Sequence, residues 1–125
     1  MLPFMAALIF IGLVVVGLAL DATLLAATYR EAAFAADVGA EAGAAQLASD
    51  SYGEEPLLDP QRAEAAAMDA ALSARPRAGR AAVASADPAG VCVSVTDGYR
   101  PRILSAIGVG PEAITVEACA EPRRG

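Results

Sequence analysis

Cys92 and Cys119 are the only thiols in this chain, and it contains no histidine. Two thiols without histidine are too few for a zinc site. The same lack rules out a Ser-His-Asp triad and a Cys-His dyad. Gly108-Val109-Gly110 is glycine-rich, but no lysine exists to complete a phosphate loop, so it reads as a turn. Asp50, Glu54, Glu55 and Asp59 form an acidic cluster whose spacing fits no EF-hand loop. Glu54-Glu55 is a carboxylate pair in polar sequence, without the burial that a general acid needs. A solvated acidic loop is the better reading. Arg75, Arg77 and Arg80 suit either a binding patch or ordinary partners for a helix C-terminus, and the second is preferred. Basic and aromatic residues do not interleave, and the net charge is −6 with a pI near 4.5, so no nucleic-acid partner is expected. No catalytic residue, cofactor, metal or small-molecule substrate is expected either. The chemistry left open is a thiol pair, and a disulfide is its natural form if this part of the chain lies outside the cytosol.

The elements that must position those cysteines begin with an uncharged apolar run over residues 1–20. At 1.5 Å per residue it makes a helix roughly 30 Å long, the thickness of a bilayer's hydrocarbon core. A secretory signal peptide would need a basic start, a shorter apolar run and a nearby small-residue cleavage site, and none of these is present. A membrane anchor is therefore favoured. Asp21 ends the run, either as a polar flank or as a membrane-boundary charge pairing with a basic group on a neighbour. Only Arg30 bears on orientation by the positive-inside rule, and it points weakly to a cytoplasmic C-terminus.

No proline interrupts residues 22–48, and alanine recurs throughout, so the helix is expected to continue as a stem. Along it Ala32, Ala36, Ala40, Ala44 and Ala48 repeat every four residues, beside a parallel row of Ala35, Gly39 and Gly43. Small residues at that spacing admit a second helix backbone, either a neighbour's or one from the chain's own distal part. The alternative is an alanine-rich helix with no partner. Asp37 and Glu41 mark an acidic side. Ser49, Asp50, Ser51, Gly53 and Pro56 signal a break. Asp59 then serves as N-cap and Pro60 as first residue of a second helix, with Glu64 near its start and an apolar stripe of Ala67, Met68, Ala71 and Leu72. Pro76 ends it.

The remainder reads as strands. Val91, Val93 and Val95 alternate with Cys92, Ser94 and Thr96. Thr96-Asp97-Gly98 signals a turn. Residues 103–107 read as a short helix or apolar loop, and 113–120 as a final strand; 81–84 is a further candidate strand. Both cysteines fall on the polar side of their strands. If those strands pair antiparallel, Cys92 and Cys119 would meet and close a loop of about 28 residues, worth about 3–4 kcal/mol in chain-entropy terms. Two free thiols are the alternative. The fold class expected is α+β, with a transmembrane segment over 1–20, a helical stem over 21–48, an acidic loop over 49–58 and a small α+β distal domain over 59–125.

This layout resembles the TadE/TadG-like proteins of the tight-adherence (Tad/Flp) pilus system. The resemblance rests on Pro3-Phe4 opening the apolar run, Leu18-Ala19-Leu20-Asp21 closing it, Tyr29-Arg30-Glu31, and Ala35-Ala36-Asp37 leading into residues 40–48. Two features depart from the pattern. The chain begins directly with Met1-Leu2-Pro3 where the family carries a charged leader, and it has Met5 where type IV pilins carry glutamate. Either a leader is missing from this start or the chain is not processed like a pilin, and the resemblance leaves leader-peptidase cleavage open between the two. The resemblance implies a non-enzymatic, pseudopilin-like protein of the cell membrane. It would be single-pass with an extracytoplasmic, pilin-like distal domain, and would reach the cell surface if it enters a pilus. Its partners would be the membrane and other pilins or pilus-assembly proteins. Ala32, Ala35, Ala36, Gly39, Ala40 and Gly43 would be its helix-packing residues. The alternative function is a membrane-tethered extracytoplasmic binding or adhesin module that never enters a filament.

Overall fold

Good helix formers and the absence of proline between Pro3 and Pro56 carry a single helix, α1, over Leu2–Ala44. The computed structural model describes residues 1–49 and 55–123. A second helix, α2, spans Pro60–Ser73. Three strands follow, β1 Ala81–Asp87, β2 Gly90–Tyr99 and β3 Glu112–Ala120, with a 3-10 turn over Leu104–Ile107 before the last. The sheet is an antiparallel meander in the order β1-β2-β3. The architecture is thus α+β: a long apolar N-terminal helix, a second helix and a small three-stranded sheet.

The stem ends four residues before the expected Ala48. The Ala45 N–H still bonds the Glu41 carbonyl, but residues 46–48 then turn to pair with 57–59. Ala48 donates to the Leu57 carbonyl (2.8 Å) and Asp59 to that of Gln46 (3.0 Å). Asp50, Ser51, Gly53 and Glu54, from the expected acidic break, lie outside the described residues. The start of α2 follows its sequence signal: Asp59 is the N-cap, its side chain accepting from the Arg62 N–H at 3.3 Å, and Pro60 comes next.

The two helices run antiparallel at very close range. A Cβ built on Gly39 would lie 2.8 Å from the Ala67 carbonyl oxygen and 2.9 Å from the Ala71 Cβ. One built on Gly43 would meet the Ala63 carbonyl oxygen and the Val91 Cγ1, each at 3.0 Å. At Gly39 a side chain would force the backbone of α2 to shift, and at Gly43 its neighbours would have to give by a few tenths of an ångström. This approach also selects the buried face of α2. Ala63, Ala67 and Ala71 are buried, whereas Met68 and Leu72, expected in the apolar stripe, are turned outward and exposed. At this separation there is room for a methyl group and not for a branched or long side chain.

Both helices lie on the sheet face that carries Val91, Val93 and Val95, all fully buried. Cys92, Ser94 and Thr96 point to the other face, where Thr96 and Thr115 share a 2.9 Å hydrogen bond. The candidate strand at 81–84 extends to Asp87, and its Ala82, Ala84 and Ala86 pack onto the same core. The Thr96-Asp97-Gly98 turn is absent. β2 passes straight through it, with Asp97 paired to Ile114 and Gly98 to Ala113. The strand continues because the Asp97 carboxylate, fully buried, has a dedicated partner in Arg80. Residues 103–107 do form a short helical turn, closed by Gly108 at φ 91°, a left-handed conformation that glycine adopts without cost. A core made mostly of alanines and a few valines buries little apolar area per residue, at about 25 cal/mol per Å². Polar fixtures and the cross-link therefore matter more than usual.

Candidate functional site

The place where the apolar half of α1 meets the sheet domain is built around Asp21. Its side chain is only 2 % exposed. The carboxylate accepts from three consecutive backbone N–H groups: Arg102 (3.0 Å), Ile103 (3.1 and 3.2 Å, one to each oxygen) and Leu104 (2.7 Å). The N–H groups of Ile103 and Leu104 are donors that a helical turn starting at Leu104 leaves without intrahelical partners, and that of Arg102 comes just before the turn. Ile103, its N-cap, has no side chain able to cap them. Asp21 supplies the missing cap from the other end of the chain. The Tyr99 hydroxyl donates to the Asp21 carbonyl at 2.8 Å, adding a second tie at the same level. One turn earlier, Gly17 allows Ile103 to lie directly on α1, since a Cβ there would come within 2.6 Å of Ile103 Cγ2.

Asp21 was expected to flank the anchor or to meet a basic group on a neighbour. Instead its carboxylate is enclosed and satisfied within the chain, so it is not free for an intermolecular ion pair. Burial pushes its pKa up, but the three backbone donors outweigh that and hold the carboxyl below the ordinary 3.8. Burial and then the Asp21 charge push the Tyr99 phenol above its ordinary value. Because the folded Asp21 titrates below the unfolded one, its contribution to stability is complete above about pH 3.8 and is lost as pH falls through the folded value. Amide protection at Arg102, Ile103 and Leu104 is therefore expected to stay level from neutral pH down to mild acid and then collapse. Asp21→Asn, which places an N–H₂ against N–H donors, is expected to lower that protection by about 10–100-fold at neutral pH. Hydrogen exchange on the detergent-solubilised chain checks both; unchanged protection in Asp21→Asn would remove the clasp from the account.

Beside the clasp runs an apolar crevice of about 310 Å³, lined by Leu18, Ala22, Leu25, Tyr99, Leu104 and Val109. Its acidic neighbours are Asp21, already engaged, and Glu112. It holds no nucleophile and no acid–base pair.

The arginines after α2 have specific partners. Arg80 forms a bidentate pair with Asp97, Nε to Oδ1 and Nη2 to Oδ2, both 2.7 Å, with both side chains buried. Its Nη1 also donates to the Ala74 carbonyl at 2.6 Å, so one residue joins the end of α2 to β2. Arg77 reaches Glu31 at 2.8 Å and Thr28 at 3.3 Å on α1, and Arg75 lies 5.2 Å from the centre of the Phe34 ring. The expected helix-dipole role therefore accounts for only the carbonyl contact of Arg80. The larger job of these side chains is to pin α2 and the sheet to α1.

Ala32, Ala35, Ala36, Gly39, Ala40 and Gly43 are all buried within the chain, where α1 packs on α2 and the sheet. Asp37 and Glu41, on the exposed side of the stem, border an open groove with Glu121 and Arg123. Cys92 and Cys119 sit directly opposite each other on β2 and β3 and form a disulfide, with a Cα–Cα distance of 4.0 Å. Glu117 lies near the two sulfurs, but bonded cysteines offer no thiolates to a metal.

Local sequence could not reveal the Asp21 clasp or the Arg80–Asp97 pair, because the partners lie 81 to 83 and 17 residues apart. The one clue was a short helical turn at residues 104–107 with no capping residue of its own. Comparison with protein-family models, with curated proteins and with solved structures finds no match to this chain.

Proposed function

We propose that this chain is a pseudopilin-like, membrane-anchored structural protein that supports assembly of a Tad/Flp-type pilus by helix–helix packing. The observation that carries the reading is one uninterrupted helix with two different surfaces. Its apolar first half is long enough to cross a membrane and is exposed almost throughout, while its last turns are buried under a small sheet domain. In this reading the exposed half of α1 sits in the bilayer and then packs beside other helices, and the distal domain faces outward from the extracytoplasmic side.

The buried alanine–glycine row serves the chain's own domain, so packing between subunits falls to residues 2–20. There Gly12 leaves the helix surface open, with nothing within 4 Å of an added Cβ, and gives a neighbouring backbone a place to approach. The Asp21 clasp and the arginine ties hold the domain at one angle to the anchor, which a repeating assembly requires. The same docked domain would serve a tethered binding module. Affinity purification of the full chain from its native membrane separates the two. Co-purification with the pilus-assembly platform and loss of pili in a deletion strain are expected. Normal pili in that strain, with no platform recovered, would instead make the chain a tethered module.

A further inference from the structure

We infer that the loop between β2 and β3, residues 100–110, is a second membrane-contacting element that seats the sheet domain in the lipid headgroup region beside the anchor. The inference rests on α1 spanning the membrane. Ile103 lies against Gly17, which is four residues inside the apolar run that ends at Asp21. Four residues of helix rise about 6 Å, so Ile103 sits below the level where the hydrocarbon should end. That depth is within the roughly 5–10 Å that interfacial elements occupy.

The loop's surface suits that position. Ile107 is 77 % exposed, Ile103 45 % and Val109 39 %, an apolar group left uncovered among the described residues, and Val109 shares a crevice with Leu18 of α1. An apolar patch joined to a membrane anchor is covered most simply by the same lipid. The flanking Arg100 and Arg102 are exposed and bear the charge that complements anionic headgroups, with stems long enough to reach them from slightly deeper. The carboxylate at the end of the apolar run is hidden: Asp21 is enclosed by the N–H groups of the loop itself, so neither it nor those donors meet lipid unpaired, while Glu112, across the crevice, is exposed and can face the headgroups. The contact that caps the turn thus also makes the loop fit for a lipid surface.

The chain contains no tryptophan, so a single introduced indole reports its own surroundings. The full chain carrying Ile107→Trp is reconstituted in phosphatidylcholine–phosphatidylglycerol vesicles containing lipid brominated near the top of the acyl chain. Leu18→Trp, in the anchor, and Val83→Trp, exposed on the far face of β1, serve as references. The expected result is blue-shifted emission from Ile107→Trp and bromine quenching at least about half that of Leu18→Trp, with Val83→Trp unquenched. A quenched Leu18→Trp beside an unquenched Ile107→Trp overturns the inference: with red emission the loop is in water, and with blue emission a second copy of the chain covers it. An unquenched Leu18→Trp overturns the membrane reading of α1 itself, and the inference with it.

Discussion

Asp97→Ala is expected to cost about 3–5 kcal/mol of folding stability, the usual consequence of leaving one partner of a buried ion pair without the other. Arg80 would keep its charge in a site where both side chains are essentially inaccessible to water. Its remaining contacts, the carbonyls of Ala74 and Arg75 at 2.6 and 3.3 Å, accept hydrogen bonds but do not neutralise it. Domains of this size have only about 5–15 kcal/mol in total, so the loss removes a large share of it and the sheet is expected to open far more often. The apolar half of α1 does not depend on this pair. The effect should therefore appear as lost amide protection across β2 while residues 2–20 stay helical. Replacing both partners with apolar residues, as in Arg80→Met with Asp97→Leu, is expected to recover most of the loss, since the desolvation cost disappears along with the attraction. Hydrogen exchange on the three proteins in one detergent measures this. Wild-type protection of β2 in Asp97→Ala would show that the pair is not holding the sheet.

Reduction of the Cys92–Cys119 disulfide, or Cys92→Ser, is expected to cost about 3–4 kcal/mol, because the open chain regains the freedom of a loop of about 28 residues. The bond joins the central strand to an edge strand whose inward contacts are Val116, Ala118 and Ala120, a modest apolar set. β3 is therefore expected to detach first, with α1, α2 and the β1–β2 hairpin following at higher denaturant. Urea titration with and without a phosphine reductant, followed by exchange at the β3 amides, is the measurement. Coincident midpoints would show that packing alone carries the strand.

The reading of the sequence succeeded where neighbours along the chain decide the outcome. The long helix follows from uninterrupted alanine and the lack of proline. Asp59-Pro60 fixes the start of α2, and the valine alternation fixes β2, because capping and pleat act over two to four residues. The polar-side positions of both cysteines follow from the same period of two. The two faces read wrongly were wrong for one reason. Met68 and Leu72 look like core by their side chains, and Thr96-Asp97-Gly98 looks like a turn by its types, but each judgement weighs a residue without its distant partner. Gly39 and Gly43 bring the helices so close that only alanines fit between them, which sends the larger side chains outward. Arg80 gives Asp97 a reason to be inside a strand.

The sequence by itself determined that this protein has an apolar helix long enough for a bilayer, a small-residue stem, a second helix and valine-lined strands bearing two cysteines. Each of these comes from local propensity and periodicity, which need no partner elsewhere. Only the tertiary structure decided that Asp21 caps the turn at Leu104, that the stem's small residues are covered by the chain's own helix and sheet, and that Asp97 is buried. Those outcomes depend on groups brought together from opposite ends of the chain. A buried charge is tolerable only where folding delivers its counterpart, and no window of sequence contains both.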